Sequence, residues 1–248
     1  GMTSRTDVTA HPPDETAGPL QAEPAVGLLD RPLVAGLRLN AWHVVLLMLV
    51  VFLLVTRLYD LGSRGYSHDE SIHAWESWKL VTGQGYRHNP VYHGPLLYHL
   101  TALAFALFGH TDVTARLVTA LAGVAIALAP LLFRRWLGKW GTLGAIALMA
   151  ISPVLMMRSR FIRHDHLALL FNIVLFYAIV RYLADRRPRD LVLAAGALSL
   201  SLAGKETSFI TVFVFGTFLF LSWAYHWVRD RTLSWPTMAS LPAMDLMV

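Results

Sequence analysis

Apolar residues along this chain fall into long runs separated by short charged punctuation. The runs cover Ala41–Leu58 and positions 113–133, 141–157, 167–183, 191–203 and 207–227. A helix needs about 17–25 predominantly apolar residues to cross a bilayer, fewer with interfacial anchors. The pattern therefore predicts about six spans, of which 191–203 is the shortest. A further apolar run, 95–108, reaches only about 21 Å as a helix, against a hydrocarbon core of about 30 Å. The expected fold is an all-α integral membrane bundle. Ala41–Leu58 reads as an uncleaved signal anchor, because its polar lead is too long for a secretory signal and no small-x-small site follows.

Charge orders these runs. If 95–108 does not cross, then the N-terminus, 134–139, 181–190 and 229–231 share one side and carry 12 of the 21 Lys and Arg residues. The positive-inside bias makes that side cytoplasmic. The run 95–108 then becomes a re-entrant or interfacial helix inside a long outer loop, 59–112. The expected organisation is a disordered cytoplasmic segment 1–40, with five prolines and no apolar period. A transmembrane module 41–228 follows, then a cytoplasmic tail or truncated continuation 229–248. On this topology eight of the 11 histidines lie outside, with Arg158, Arg160, Arg163 and Lys205 opposing the charge bias. Ionisable groups at span ends are costly unless they meet water, each other or a ligand.

Composition narrows the chemistry. Charged residues make up 15 % of the chain, against about 25 % in soluble domains. The net charge of +5 belongs to loop sidedness and not to a nucleic-acid footprint. Cysteine is absent, which excludes disulfides, thiolate catalysis and zinc–thiolate sites.

Four motifs carry candidate chemistry. Ser67-His68-Asp69-Glu70 has the spacing of a capping box before a helix over 71–82, and the same carboxylates suit a rigidly held general base. Trp75 and Trp78 on that helix suit the headgroup region. In Tyr92-His93-Gly94-Pro95-Leu96, a loop-to-helix turn accounts for Gly94 and Pro95 and leaves His93 as a site candidate. The string Arg158-Ser-Arg160-Phe-Ile-Arg163-His164-Asp165-His166 offers guanidinium forks for a phosphate, or a solvated loop with internal Arg–Asp pairing. His164, Asp165 and His166, with His68, are candidate ligands for a possible divalent metal. In Gly204-Lys205-Glu206-Thr207, Lys205 either pairs with Glu206 at the surface or meets an anionic headgroup.

In joint order these features resemble the GT-C superfamily of membrane glycosyltransferases. The likeness is to the dolichyl-phosphate-mannose protein mannosyltransferases and the aminoarabinose transferases of lipid A. It rests on Asp69-Glu70 after the first span, His93-Gly94-Pro95-Leu96 before a juxtamembrane helix, Gly109 to Ala115-Arg116-Leu117, Ser152-Pro153 with Ser159-Arg160 and Asp165, and then Lys205. A prokaryotic flippase-associated subgroup shares the His-Asp-Glu spelling. The likeness covers about residues 41 to 225. Gly94-Pro95 replaces the family's double proline. Such enzymes have ten or more spans against six counted here, so the chain is expected to be the N-terminal part of a larger protein.

The resemblance implies transfer of a sugar from a polyprenyl-phosphate carrier to an acceptor on the extracytoplasmic face, by inverting single displacement. It implies Asp69 as base, with Glu70 and Asp165 orienting the acceptor or a metal. Arg158, Arg160, Arg163 and Lys205 would hold the departing lipid phosphate, with His68 and His93 also at the substrate. The implied partners are a lipid-linked sugar, membrane lipid and an unidentified acceptor. The rival reading is a non-enzymatic lipid-phosphate handling or transport protein using the same arginines, and a third is a structural subunit.

Overall fold

The computed structural model describes residues 32–34 and 37–229, with side chains from Asn40 onward. Contacts divide the chain into two units, Gly1–Trp42 and His43–Val248. In the first, β1 (Pro32–Val34) pairs antiparallel with β2 (Leu37–Asn40), with Val34 opposite Leu37. At 32–34 and 37–40 this differs from the disorder expected over 1–40. Apolar residues occur in both segments, Leu33 and Val34 in β1 and Leu37 and Leu39 in β2, and a strand pairing suits such residues. The rest of that segment, and the tail from 230 onward, lie outside the described residues.

The second unit is helical. It comprises α1 (Ala41–Leu58, from His43 onward), α2 (His68–Thr82), a 3-10 turn at Pro90–Tyr92, α3 (Leu96–Phe108) and α4 (Asp112–Leu128), which runs into a 3-10 turn at Ala129–Leu131. Then follow α5 (Arg134–Ile151), α6 (Pro153–Ser159), α7 (His164–Asp185), α8 (Pro188–Gly204) and α9 (Ser208–Arg229). Helix α2 begins earlier than the expected 71–82, because Ser67 caps it.

Among the described residues four helices are long and apolar enough to cross a bilayer: α1, α4 with its 3-10 turn, α7 and α9. The chain is thus a multi-pass membrane protein. The expected span 141–157 is instead the bent pair α5 and α6, which meet at 63° and make a fifth crossing if they act together. The break has a local cause. Ser152 is extended and accepts from the Leu155 amide, and Pro153 lacks the N–H that would continue α5. The expected span 191–203 lies in α8, a 17-residue helix that is not among the four. Pro188, Arg189 and Asp190 occupy its first turn and shorten its apolar part. Helix α3, at 13 residues, is too short to cross unaided, in keeping with a re-entrant or interfacial helix.

Helix α4 forms the interior: 67 % of its apolar window is buried, against 17 % for α1 and 11 % for α9. The outer helices expose apolar side chains such as Leu47, Met48, Phe209 and Phe213, as lipid contact requires. Close approach fixes two junctions. A Cβ on Gly123 of α4 would lie 2.3 Å from Ser159 Cβ of α6. A Cβ on Gly94 would lie 2.0 Å from the Ala203 carbonyl oxygen, and the Gly94 amide donates to Gly204 O at 3.3 Å. The turn before α3 is thereby pressed onto the end of α8.

A buried ion pair joins α2 to α4. Glu70 is fully buried, and Arg116 is 1 % exposed. Arg116 Nε donates to Glu70 Oε1 at 3.0 Å, and its remaining nitrogens donate to Leu61 O and Gly65 O. Glu70 Oε2 accepts from the Ser67 amide and from Arg64 Nη2, both at 3.0 Å. Oε1 also accepts from the Ile162 amide at 3.3 Å. Burial alone would raise the Glu70 carboxyl, but Arg116 and the two amides hold it below the usual carboxylate range.

Removing one member of such a pair strands the other charge, at about 3–5 kcal/mol. Glu70→Ala is therefore expected to lower the thermal unfolding midpoint of the detergent-solubilised protein sharply, as read by a scanning fluorimetry trace. A Glu70→Ala protein with a wild-type midpoint would show that the pair does not hold the fold.

Candidate functional site

A pocket of about 180 Å³ opens where four segments meet. The first turns of α2 supply Asp69, Ile72 and His73. The 3-10 turn and the residue after it supply Val91, Tyr92 and His93. The start of α7 supplies Arg163, His164 and Asp165, and the residue closing α8 supplies Lys205. Residues i and i+4 share a helix face, so Asp69 brings His73 with it. His93 sits at φ +69°, and the tight Gly94 contact that follows sets its direction.

One wall is an alternating row of charges. Asp69 Oδ2 lies 3.3 Å from Arg163 Nη1, and Arg163 Nε lies 3.2 Å from Asp165 Oδ2. Asp165 Oδ1 accepts a hydrogen bond from Lys205 Nζ, and Arg158 stands 3.6 Å from its other oxygen. Asp165 therefore organises three cations. Asp69, at the rim, keeps about half of its side chain exposed (54 %). Across the pocket, His93 Nδ1 lies 2.7 Å from Glu206 Oε1. Glu206 is held below the usual carboxylate range by hydrogen bonding to its own backbone and by His93.

The floor is aromatic. Tyr98 donates to the Tyr92 carbonyl at 3.1 Å, so its oxygen is left to accept from His73 Nδ1 at 3.0 Å. That assigns the His73 proton to Nδ1. Burial pushes the His73 imidazole down to about 4, and it stays neutral near pH 7. The His164 ring lies edge-on to His73, His93 and Tyr98, with centroids 4.9, 5.2 and 5.5 Å away.

The structure thus gathers Asp69, His93, Arg163, His164, Asp165 and Lys205 at one pocket, with Arg158 beside Asp165. Other sequence candidates lie elsewhere. Glu70 faces the interior and closes the capping box with Ser67. A helix turns about 100° per residue, so Asp69 and Glu70 diverge. Arg160 donates to the carbonyls of Thr56, Tyr59 and Asp60 and so caps the end of α1. His68 is exposed and does not line the pocket. His164, Asp165 and His166 do not converge either, since His166 turns towards α6 beside Leu155. Among the described residues no group of three or more His, Asp or Glu side chains is arranged to hold a metal. The residues present do not fit the divalent ion considered from sequence.

Sequence reasoning gave His73 and Tyr98 no role, and cited Arg116 only within the Ala115-Arg116-Leu117 stretch of the resemblance. The Asp69–His73 spacing marked His73. An arginine inside the apolar run 113–133 marked Arg116, because such a charge needs a buried partner.

The family model described as dolichyl-phosphate-mannose-protein mannosyltransferase matches residues 92–246. The matched stretch holds His93, Arg158, Arg163, His164, Asp165 and Lys205. The chain is also similar to a solved structure, the S. cerevisiae protein O-mannosyltransferase Pmt1–Pmt2 complex bound to the sugar donor. The TM-score is 0.63 at 19 % identity, over 88 % of this chain and 32 % of that one. This chain thus spans about a third of that protein's length, and the likeness is one of fold. No curated protein matches in sequence. With the family model covering more than half of its length, the chain belongs to the dolichyl-phosphate-mannose-protein mannosyltransferase family of GT-C membrane glycosyltransferases.

Proposed function

We propose that this protein transfers a sugar from a polyprenyl-phosphate carrier to an acceptor on the extracytoplasmic face of the cell membrane. The observation that carries the reading is the meeting of an exposed carboxylate, Asp69, with Arg163 and Lys205 around one small pocket. The acceptor heteroatom attacks the anomeric carbon as the bond from that carbon to the phosphate oxygen breaks. The bonding pair leaves with the lipid phosphate, and the acceptor proton passes to Asp69. Arg163, Lys205 and Arg158 receive the charge that develops on the phosphate. Asp165 holds them in position beforehand, so little reorganisation is needed when that charge appears. Arg160 is committed to the end of α1, which leaves the phosphate to the other three cations. A second cavity of about 450 Å³, lined by Tyr86, Arg87 and Tyr98 and sharing Tyr92 with the first, gives the acceptor a polar approach.

Three measurements test this reading. Asp69 is not the capping residue of α2, so Asp69→Asn sacrifices at most the charge–dipole term, about 0.3–1 kcal/mol, and its pairing with Arg163. In the full-length protein it is expected to fold normally, bind the lipid donor and lose about 10²–10⁴ in turnover of a labelled lipid-linked sugar. Turnover near wild type would favour the lipid-handling alternative.

Charge-assisted hydrogen bonds are worth about 1.5–3 kcal/mol, or about tenfold or more in affinity. Replacing Arg163 and Lys205 with Gln is expected to weaken dolichyl phosphate binding by at least that factor. Arg160→Gln is expected to lower thermal stability and leave that affinity alone. The reverse pattern would move the phosphate site to Arg160.

Because the chain has no native cysteine, sidedness can be read from single introduced ones. Cysteines at Arg134 and Arg187 are expected to resist an impermeant maleimide in intact cells, and one at Ser63 to react. Labelling of the first two from outside would invert the topology.

A further inference from the structure

His164 is 2 % exposed, yet it reaches the floor of the pocket. Among the described residues neither of its ring nitrogens has a hydrogen-bond partner. The Gly204 carbonyl lies beside the ring but outside hydrogen-bond geometry. Its other neighbours, His73, His93 and Tyr98, meet it edge-on as rings. None of them bonds it: His73 Nδ1 is engaged with Tyr98 Oη, Tyr98 with Tyr92 O, and His93 Nδ1 with Glu206. A buried polar group left unpaired is costly and calls for a partner. Here the open side is the pocket.

We propose that His164 recognises the sugar ring of the lipid-phosphate donor, with a ring nitrogen hydrogen-bonded to a sugar hydroxyl at the pocket floor. The inference rests on the donor reading above. An imidazole offers one donor and one acceptor, and a hydroxyl answers either. The place of His164 selects the donor sugar over the acceptor. It stands between Arg163 and Asp165 in sequence and shares the pocket with Lys205, and the group covalently next to the phosphate is the sugar. The acceptor reaches Asp69 from the exposed rim. A ring in this position is a specificity element, because a hydroxyl of the wrong orientation would leave the buried nitrogen unpaired.

The test compares lipids with and without the sugar on full-length protein in nanodiscs. The probes are dolichyl phosphate, dolichyl-phosphate mannose and dolichyl-phosphate glucose. His164→Phe keeps an aromatic ring and removes the hydrogen bond. His164→Leu does the same with less bulk, should Phe overpack the floor. His164→Asn keeps a donor and an acceptor. The wild type is expected to bind at least one sugar lipid more tightly than dolichyl phosphate. His164→Phe or His164→Leu should erase that margin, a loss of up to about tenfold, while affinity for dolichyl phosphate stays unchanged. His164→Asn should restore part of it. Equal weakening for all three lipids, no weakening for any, or a raised acceptor KM with donor affinity intact would each overturn the assignment. So would a wild type that binds dolichyl phosphate and gains nothing from either sugar. A wild type with no affinity for any of the lipids would instead remove the donor reading itself, and this inference with it.

Discussion

The buried Glu70–Arg116 pair is the constraint on which the site depends. Two charges removed from water must saturate one another and every remaining lone pair and proton, or they cost several kcal/mol each. Glu70 answers with four donors: Arg116, Arg64 and the amides of Ser67 and Ile162. Arg116 answers with the carbonyls of Leu61 and Gly65. In satisfying itself the pair joins the loop after α1, the first turn of α2, the middle of the bundle and the turn between α6 and α7. Asp69 and Arg163, each one residue along from a group in this network, are placed by it without belonging to it.

The adjacent carboxylates therefore divide their labour by direction. Glu70 turns inward, and Asp69 turns to the pocket with half of its side chain exposed. A cap, a buried anchor and a pocket-facing carboxylate fit into four consecutive residues, Ser67 to Glu70, because each successive side chain of a starting helix leaves in a different direction. The same logic separates the arginines. Arg160 serves Thr56 O in the last turn of α1 and the carbonyls of Tyr59 and Asp60 just past it, where a helix end leaves acceptors unpaired, and Arg163 is left facing the pocket.

Much of this could be read from sequence. Apolar run length located α1, α4, α7 and α9, and the Ser67-x-x-Glu70 spacing announced the capping box that forms. Gly94 was legible as a tight turn, but its partner, the Ala203 carbonyl, comes from a distant segment that no local pattern names. Run length misread 141–157, where Ser152-Pro153 bends the helix. Proline at the first position of a new helix and proline inside an old one look alike in a hydropathy profile. The site was legible as a list of residue types and not as a set of directions. Thus Glu70, Arg160 and His68 stood beside Asp69 and Arg163, while His73 on the floor, and Tyr98 bonded behind it, were given no role.

The charge balance of the wall formed by Asp69, Arg163, Asp165, Lys205 and Arg158 bears on the proposed reaction. Around Asp165 and Asp69 stand Arg163, Lys205 and Arg158: three cations against two carboxylates, a net of one positive charge. A sugar-bearing lipid phosphate is a diester with one negative charge, so the loaded group of charges is neutral. As the sugar leaves, the phosphate becomes a monoester and moves towards about −1.5 to −2. In the proposed step Asp69 would take the acceptor proton and lose its own negative charge, so the protein side would become more positive as the phosphate becomes more negative. On that proposal Asp69 would contribute twice, by accepting the proton and by releasing Arg163 from its pairing as the phosphate comes to need that cation. Asp165 does not titrate in this scheme. It keeps the three cations together while the pocket is empty, when their mutual repulsion would otherwise drive them apart.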